Sequence, residues 1–166
     1  LLTSPADFMP LDGVNDHQIA ALLDALRRSH DYVILDLPRA IVSWIEPIMA
    51  VADEVIVVAD TTVPSIRAAK RLIDLYKAEN PALKVHVVIN HEKKPLVQAH
   101  HHKEAAHVLE QKFEHWLPHD PKAARTAIDY GKPLSAVAPR SDLNKAITAL
   151  AKATMKAMPS VDHATH

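Results

Sequence analysis

Three apolar runs constrain this chain more than anything else in it. They are "YVILDL" at 32–37, "EVIVVAD" at 54–60 and "KVHVVIN" at 84–90. Each is rich in valine and isoleucine and too short for an ordinary helix, so each reads as a strand. Their apolar residues follow one another almost without interruption instead of alternating with polar ones. Strands of that kind are buried on both faces, which points to a parallel sheet covered by helices on both sides. The stretches between them have helical spacing, and the strands recur at intervals that suit βαβ units of about 30 residues. The expected fold is therefore α/β and doubly wound.

The helical stretches carry their own start and stop signals. In "NDHQIAALLDALRRSH", Ile19, Leu22, Leu23 and Leu26 share one face, and Asn15 with Gln18 can form a capping box. "AIVSWIEPIMAVAD" predicts a helix broken or kinked near Pro47. Ile66, Ala69, Ile73 and Tyr76 line one face of "VPSIRAAKRLIDLYKAEN", which Asn80-Pro81 ends. A long helix is expected over "PLVQAHHHKEAAHVLEQKF", a short strand within "EHWLPHD", and a short helix in "PKAARTAIDYG" that stops at Gly131. The last helix, "DLNKAITALAKATMKAM", has Leu143, Ile147, Leu150 and Met158 as its core stripe. Its polar face mixes Lys145, Lys152 and Lys156 with Asp142, so it reads as a core helix, not a membrane-lying one.

Composition removes several classes of function. Nineteen basic residues against 20 acidic ones leave a net charge of -1, with no general attraction to nucleic acid or membrane surfaces. There is no cysteine, hence no disulfide, Cys-zinc site or thiol nucleophile, which fits a reducing compartment. No apolar run approaches the roughly 20 residues of a membrane span. The only glycines are Gly13 and Gly131, and neither opens a phosphate-cradling loop onto a helix. The GxSxG elbow of hydrolases is absent. The chain opens on Leu-Leu-Thr-Ser-Pro without a Met, which reads as a fragment.

Open parallel sheets bind ligands beyond the carboxyl ends of their strands. Those ends carry Asp36, Asp60-Thr61-Thr62, Asn90 and Pro118-His119-Asp120. Such residues either rim a pocket or merely end strands in water. Asp36 could hold Mg²⁺ through water or orient an attacking water, or serve a turn beside Pro38. The Asn90 amide suits the edge of a base, but Asn is also a common turn residue. The run His100-His101-His102, with His107, invites a metal. Its spacing spreads around the helix with only Glu104 as a nearby acid, so a solvated helix face is the expectation.

The order "DYVILDLPR", "VADEVIVVADTTVPSIRAAKRLIDLY", "VHVVIN" and "LPHDPKAARTAIDYGKPLSAVAPRSDLNKAITALA" resembles the later two-thirds of the ParA/MinD superfamily of deviant Walker ATPases. Within it, the likeness is to the CpaE/TadZ group of Flp/Tad type IV pilus assembly proteins. The resemblance covers almost the whole chain. It implies a P-loop NTPase fold of the MinD-like (SIMIBI) kind lacking its N-terminal part, over residues 1–158, with a flexible tail at 159–166. Asp36 would open switch II near the γ-phosphate and Mg²⁺. Asn90 would read the adenine edge, and Pro118, His119 and Asp120 would flank the adenine. The implied cofactors are ATP and Mg²⁺. The implied partners are a second copy, in a homodimer, and other pilus assembly proteins, with no nucleic acid. The implied location is cytoplasmic, at the inner-membrane face or cell pole through partners. The Walker A loop, its lysine and switch I are expected upstream of Leu1, so this fragment alone is expected to be inactive as an ATPase.

Two other readings compete. One keeps the fold as a nucleotide-free scaffold for docking partners. The other is a response-regulator receiver, with "DYVILDLP" as acceptor strand, Thr61 or Thr62 as hydroxyl and Lys94-Pro95 as the terminal pair. "LLTSPADF" lacks the acidic pair a receiver requires, and too much chain follows Lys94.

Overall fold

The computed structural model describes residues 15–38 and 44–157. Along the chain run α1 (Asp16–Ser29), α2 (Ile45–Val51), β1 (Glu54–Ala59), α3 (Val63–Glu79), β2 (Lys84–Asn90) and α4 (His100–Val108). They are followed by β3 (His115–Leu117), α5 (Pro121–Tyr130), α6 (Leu134–Val137) and α7 (Asp142–Ala157). The sheet is parallel in the order β1-β2-β3. Its register runs from Glu54 opposite Lys84 to Ala59 opposite Ile89, and from Val88 opposite His115 to Asn90 opposite Leu117.

One face of the sheet builds the core. Val57, Ala59, Val85, Val87, Ile89 and Trp116 pack with Ile66, Ala69, Ile73 and Tyr76 of α3. Those four α3 residues are the ones its spacing picked out. Leu109 and Phe113 close the core beyond α4, and Leu23, Ile48 and Met49 bring in α1 and α2. The second face is covered at Val88 of β2, which is fully buried, yet β1 leaves Ile56 and Val58 exposed. Burial on both faces thus holds in the central strand only around Val88, with Lys84 exposed and His86 half-buried on that face, and it fails for β1 among the described residues.

Local signals behave as expected in several places. Asn15 and Gln18 form the capping box of α1, each side chain bonding the other's backbone N–H at 3.0 Å. Gly131 ends α5 at φ 58, the left-handed region where a side chain is strained.

Four expectations need correction. "YVILDL" is not a strand: residues 32–38 have no regular secondary structure, and Ile34 is 93% exposed. A strand exists only through a neighbouring strand's backbone groups, and the β1–β2–β3 ladder does not extend to this stretch. Pro47 does not kink a helix; it sits in the first turn of α2, where its missing N–H costs nothing. Ala40, Ile41, Val42 and Ser43 of that expected helix lie outside the described residues. The helix after β2 begins at His100, not Pro95. The α7 stripe is not a core: nothing in α7 is fully buried and Ile147 is 39% exposed, while Met158 lies outside the described residues.

The contrast between Ile73 and Ile34 is testable. Ile73→Ala in the core should cost about 2–5 kcal/mol of stability. Ile34→Ser should change it by less than about 0.5 kcal/mol. Urea denaturation of both variants measures the difference.

Candidate functional site

The parallel ladder brings the strand exits to one edge of the sheet. β1 leads to Asp60, Thr61 and Thr62, β2 to Asn90, His91 and Glu92, and β3 to Pro118, His119 and Asp120. The Glu92 N–H donates to the Leu117 carbonyl at 3.1 Å, so the β2 exit is pinned against the end of β3.

An open groove of about 440 Å³ runs along β1 and the start of α3 and reaches Asp60, Ser65, Asn90 and His91. That volume lies in the ~300–1,000 Å³ range usual for ligand pockets. Val57, Val58 and Leu72 give it an apolar floor.

Asp60 organises the β1 end of this groove. One carboxylate oxygen accepts the Thr62 N–H at 2.9 Å and the Thr62 hydroxyl, and the Asp60 N–H donates to Ser65 Oγ at 3.1 Å. The Thr62 hydroxyl, followed by the Thr62 N–H, holds the Asp60 carboxyl below its usual range against slight burial. The result is a turn locked by side chains at the entry to α3.

Asn90 ends β2, half-buried, and lines the groove. Its side-chain oxygen accepts the His91 N–H at 3.0 Å. His91 follows at φ 65, in the left-handed region that favours glycine. The turn therefore uses one lone pair of the Asn90 oxygen and leaves its NH₂ group directed elsewhere. His91 meets His119 edge to face, with ring centroids 5.3 Å apart, so the β2 and β3 exits touch. Pro118 is buried and His119 exposed. Asp120 caps α5, its carboxylate accepting the Ala123 N–H at 3.0 Å. Asp36 is exposed in the stretch without secondary structure and does not line the groove.

The histidine run differs from its expected solvated face. His102 is 6% exposed, and its Nε2 lies 2.9 Å from a carboxylate oxygen of Glu92. Glu104, the acid nearest in sequence, pairs instead with His100 at 3.2 Å. The other Glu92 oxygen accepts the Thr61 hydroxyl. Partial burial pushes the Glu92 carboxyl up, but the bonds from Thr61 and His102 and the imidazoles of His102 and His101 take it below its usual range. Sequence reasoning missed Glu92 because its partners lie far along the chain and meet only through the fold.

No protein-family model matches the chain. It is 31% identical over 87 residues to the septum site-determining protein MinD of Synechocystis sp., an alignment covering 52% of this chain and 32% of that protein. The crystal structure of a ParA family ATPase from Chlorobium tepidum TLS superposes with a TM-score of 0.78 at 24% identity, covering 90% of this chain and 61% of that one. A chain of a MinC:MinD cell division protein complex from Aquifex aeolicus superposes with a TM-score of 0.70 at 20% identity, covering 88% of this chain and 61% of that one. The chain has the ParA/MinD fold. It is similar in sequence to MinD over about half of its own length, and it spans about a third of the length of the curated MinD relatives it matches.

The described residues offer a groove that could seat a flat, partly polar ring. The groove is apolar-floored, with polar edges at Asp60 and Asn90. They do not supply a phosphate cradle: the only described glycine is Gly131, at the far end of α5. No helix among the described residues is long and apolar enough to cross a membrane.

Asp60→Ala should destabilise the chain by about 1 kcal/mol at pH 7. The Asp60 carboxyl is depressed in the folded state, so its contribution is present above the unfolded value, near pH 4, and is lost as pH falls through the folded value. The gap between parent and variant should therefore narrow below about pH 4, as urea denaturation across a pH series would show.

Proposed function

We propose that this chain is the base-binding part of a MinD/ParA-like ATP-binding domain in a protein that places Flp/Tad pilus assembly machinery. The parent protein acts by ATP-dependent homodimerisation and docking of other pilus assembly proteins. It works in the cytoplasm at the inner-membrane face. The observation that carries this reading is the convergence of Asp60, Asn90 and the Pro118–Asp120 exit on one edge of a parallel sheet, beside an apolar groove. The pilus assignment rests on the order of the motifs, above all the "LPHD" to "PRSDL" tail.

In this reading Asn90 turns its amide NH₂ toward the base, since its oxygen already serves the His91 N–H. Pro118 and His119 form the flanking wall, and Asp120 fixes that wall by capping α5. Asp36 serves the phosphate side. Bound Mg²⁺ would supply charge neutralisation of the phosphates; Asp36 is the residue of this chain that would hold it, through water.

A second reading is favoured by one observation. The Asn90 oxygen is committed to its own turn. A scaffold of this fold, docking partners without nucleotide, fits that fact.

The full-length protein decides between them. Under the first reading, ATP drives dimerisation in light scattering, and Asp36→Ala lowers hydrolysis by roughly 100-fold or more while leaving the circular dichroism spectrum unchanged. Asn90→Ala weakens ATP and GTP binding unequally. Equal loss for both nucleotides would confine Asn90 to the turn, and no ATP binding by the full-length protein would leave the scaffold. A strain lacking the gene, inspected for surface pili, tests the assembly role separately.

A further inference from the structure

The nucleotide reading leaves one group of side chains unused. Glu92, His101 and His102 each present a ligand atom, and these atoms all lie within 4.8 Å of one another. We propose that the three form a site for a divalent transition metal of the zinc type, which fastens the β2 exit to the first turn of α4. The proposal stands independently of ATP binding.

The geometry is close to what such an ion needs. Zinc bonds imidazole nitrogen and carboxylate oxygen at about 2.0–2.2 Å, so ligand atoms in a tetrahedral site sit roughly 3.3 Å apart. Glu92 and His102 stand at 2.9 Å. His101 is exposed, with its ring centroid 4.0 Å from that of His102, and side-chain rotation can close the remaining distance. Two imidazoles and a carboxylate leave a fourth position for water, the pattern of an open zinc site.

The surroundings hold the ligands in place. Trp116 meets the His102 ring edge-on at 5.1 Å. The Thr61 hydroxyl bonds the Glu92 oxygen that does not face His102, and such outer hydrogen bonds orient ligating carboxylates. Glu92 also supplies the negative charge that offsets the positive end of α4, which by itself disfavours a cation.

Metal entry has a defined chemical consequence. In the metal-free arrangement the Ala99 N–H donates to His102 Nδ1 at 3.2 Å, so the ring proton sits on Nε2 and is donated to Glu92. The metal takes the place of that proton. The proton moves through solvent to Nδ1, which keeps the imidazole neutral, and the Ala99 N–H gives up its bond.

Calorimetry with Zn²⁺ alone on the full chain tests this. One event per chain should be tighter than any other, and Glu92→Gln should weaken it at least about tenfold. That variant keeps the shape and an acceptor for His102, so it should fold; circular dichroism checks this. His101→Ala should weaken the same event. His100→Ala, which removes a histidine paired to Glu104 outside the trio, should leave it within about twofold. The Ala99 amide resonance should shift on Zn²⁺ addition in the parent and not in Glu92→Gln. Unchanged affinity in folded Glu92→Gln, or equal losses in His100→Ala and His101→Ala, would overturn the site in favour of loose binding along the histidine run.

Discussion

Everything in this structure depends on β2 being paired along both edges. Val88 and Ile89 are fully buried within it, and its ladder sets the height of the strands on either side. With Ala59 opposite Ile89 and Asn90 opposite Leu117, the three strands end at nearly the same level. Asp60, Asn90 and Pro118 therefore emerge together. A slip of one residue would turn each apolar side chain to the other face and scatter the exits. The burial energy of the core and the alignment of the candidate site are consequences of one register.

The exits then lock into turns of unlike chemistry. At β1 a carboxylate gathers a neighbouring N–H and hydroxyl. At β2 an amide oxygen gathers the next N–H, and His91 stands at positive φ. At β3 a carboxylate caps a helix. In each, the side chain that could face a ligand is also the one that holds the backbone. Function and local structure are coupled at these positions, so a substitution meant to probe a ligand also loosens its wall.

What was legible in the sequence follows from how local each cause is. The face of α3, the capping box of α1 and the stop at Gly131 depend on spacings within one element, and each is present as read. Three of the four expected strand exits were legible because parallel topology places them on one edge, while Asp36 follows no strand. "YVILDL" misled because hydrophobic content records a need for cover, whereas a strand requires a pairing edge, and spacing says nothing of the neighbour; Tyr32, Ile34 and Leu35 are exposed. The stripe of α7 misled for a related reason: an amphipathic face records a need for cover without saying that the described residues provide it. Glu92 and His102 lie ten residues apart across a stretch without regular secondary structure. Nothing periodic connects them.

The same distinction bears on what the fold can say about activity. A parallel sheet with polar exits and an apolar groove is a frame that many chemistries share. Catalysis of phosphoryl transfer rests almost wholly on positioned charge around the phosphates. The described residues gather Asn90, Pro118 and the His91–His119 contact at the strand exits; under the proposed reading these form a wall for a flat ring. Such a wall can confer selectivity, because leaving a buried amide unmatched is costly, but it cannot by itself accelerate a reaction. Under the proposed reading such a wall would recognise a ligand, and turnover would rest on charged groups outside it.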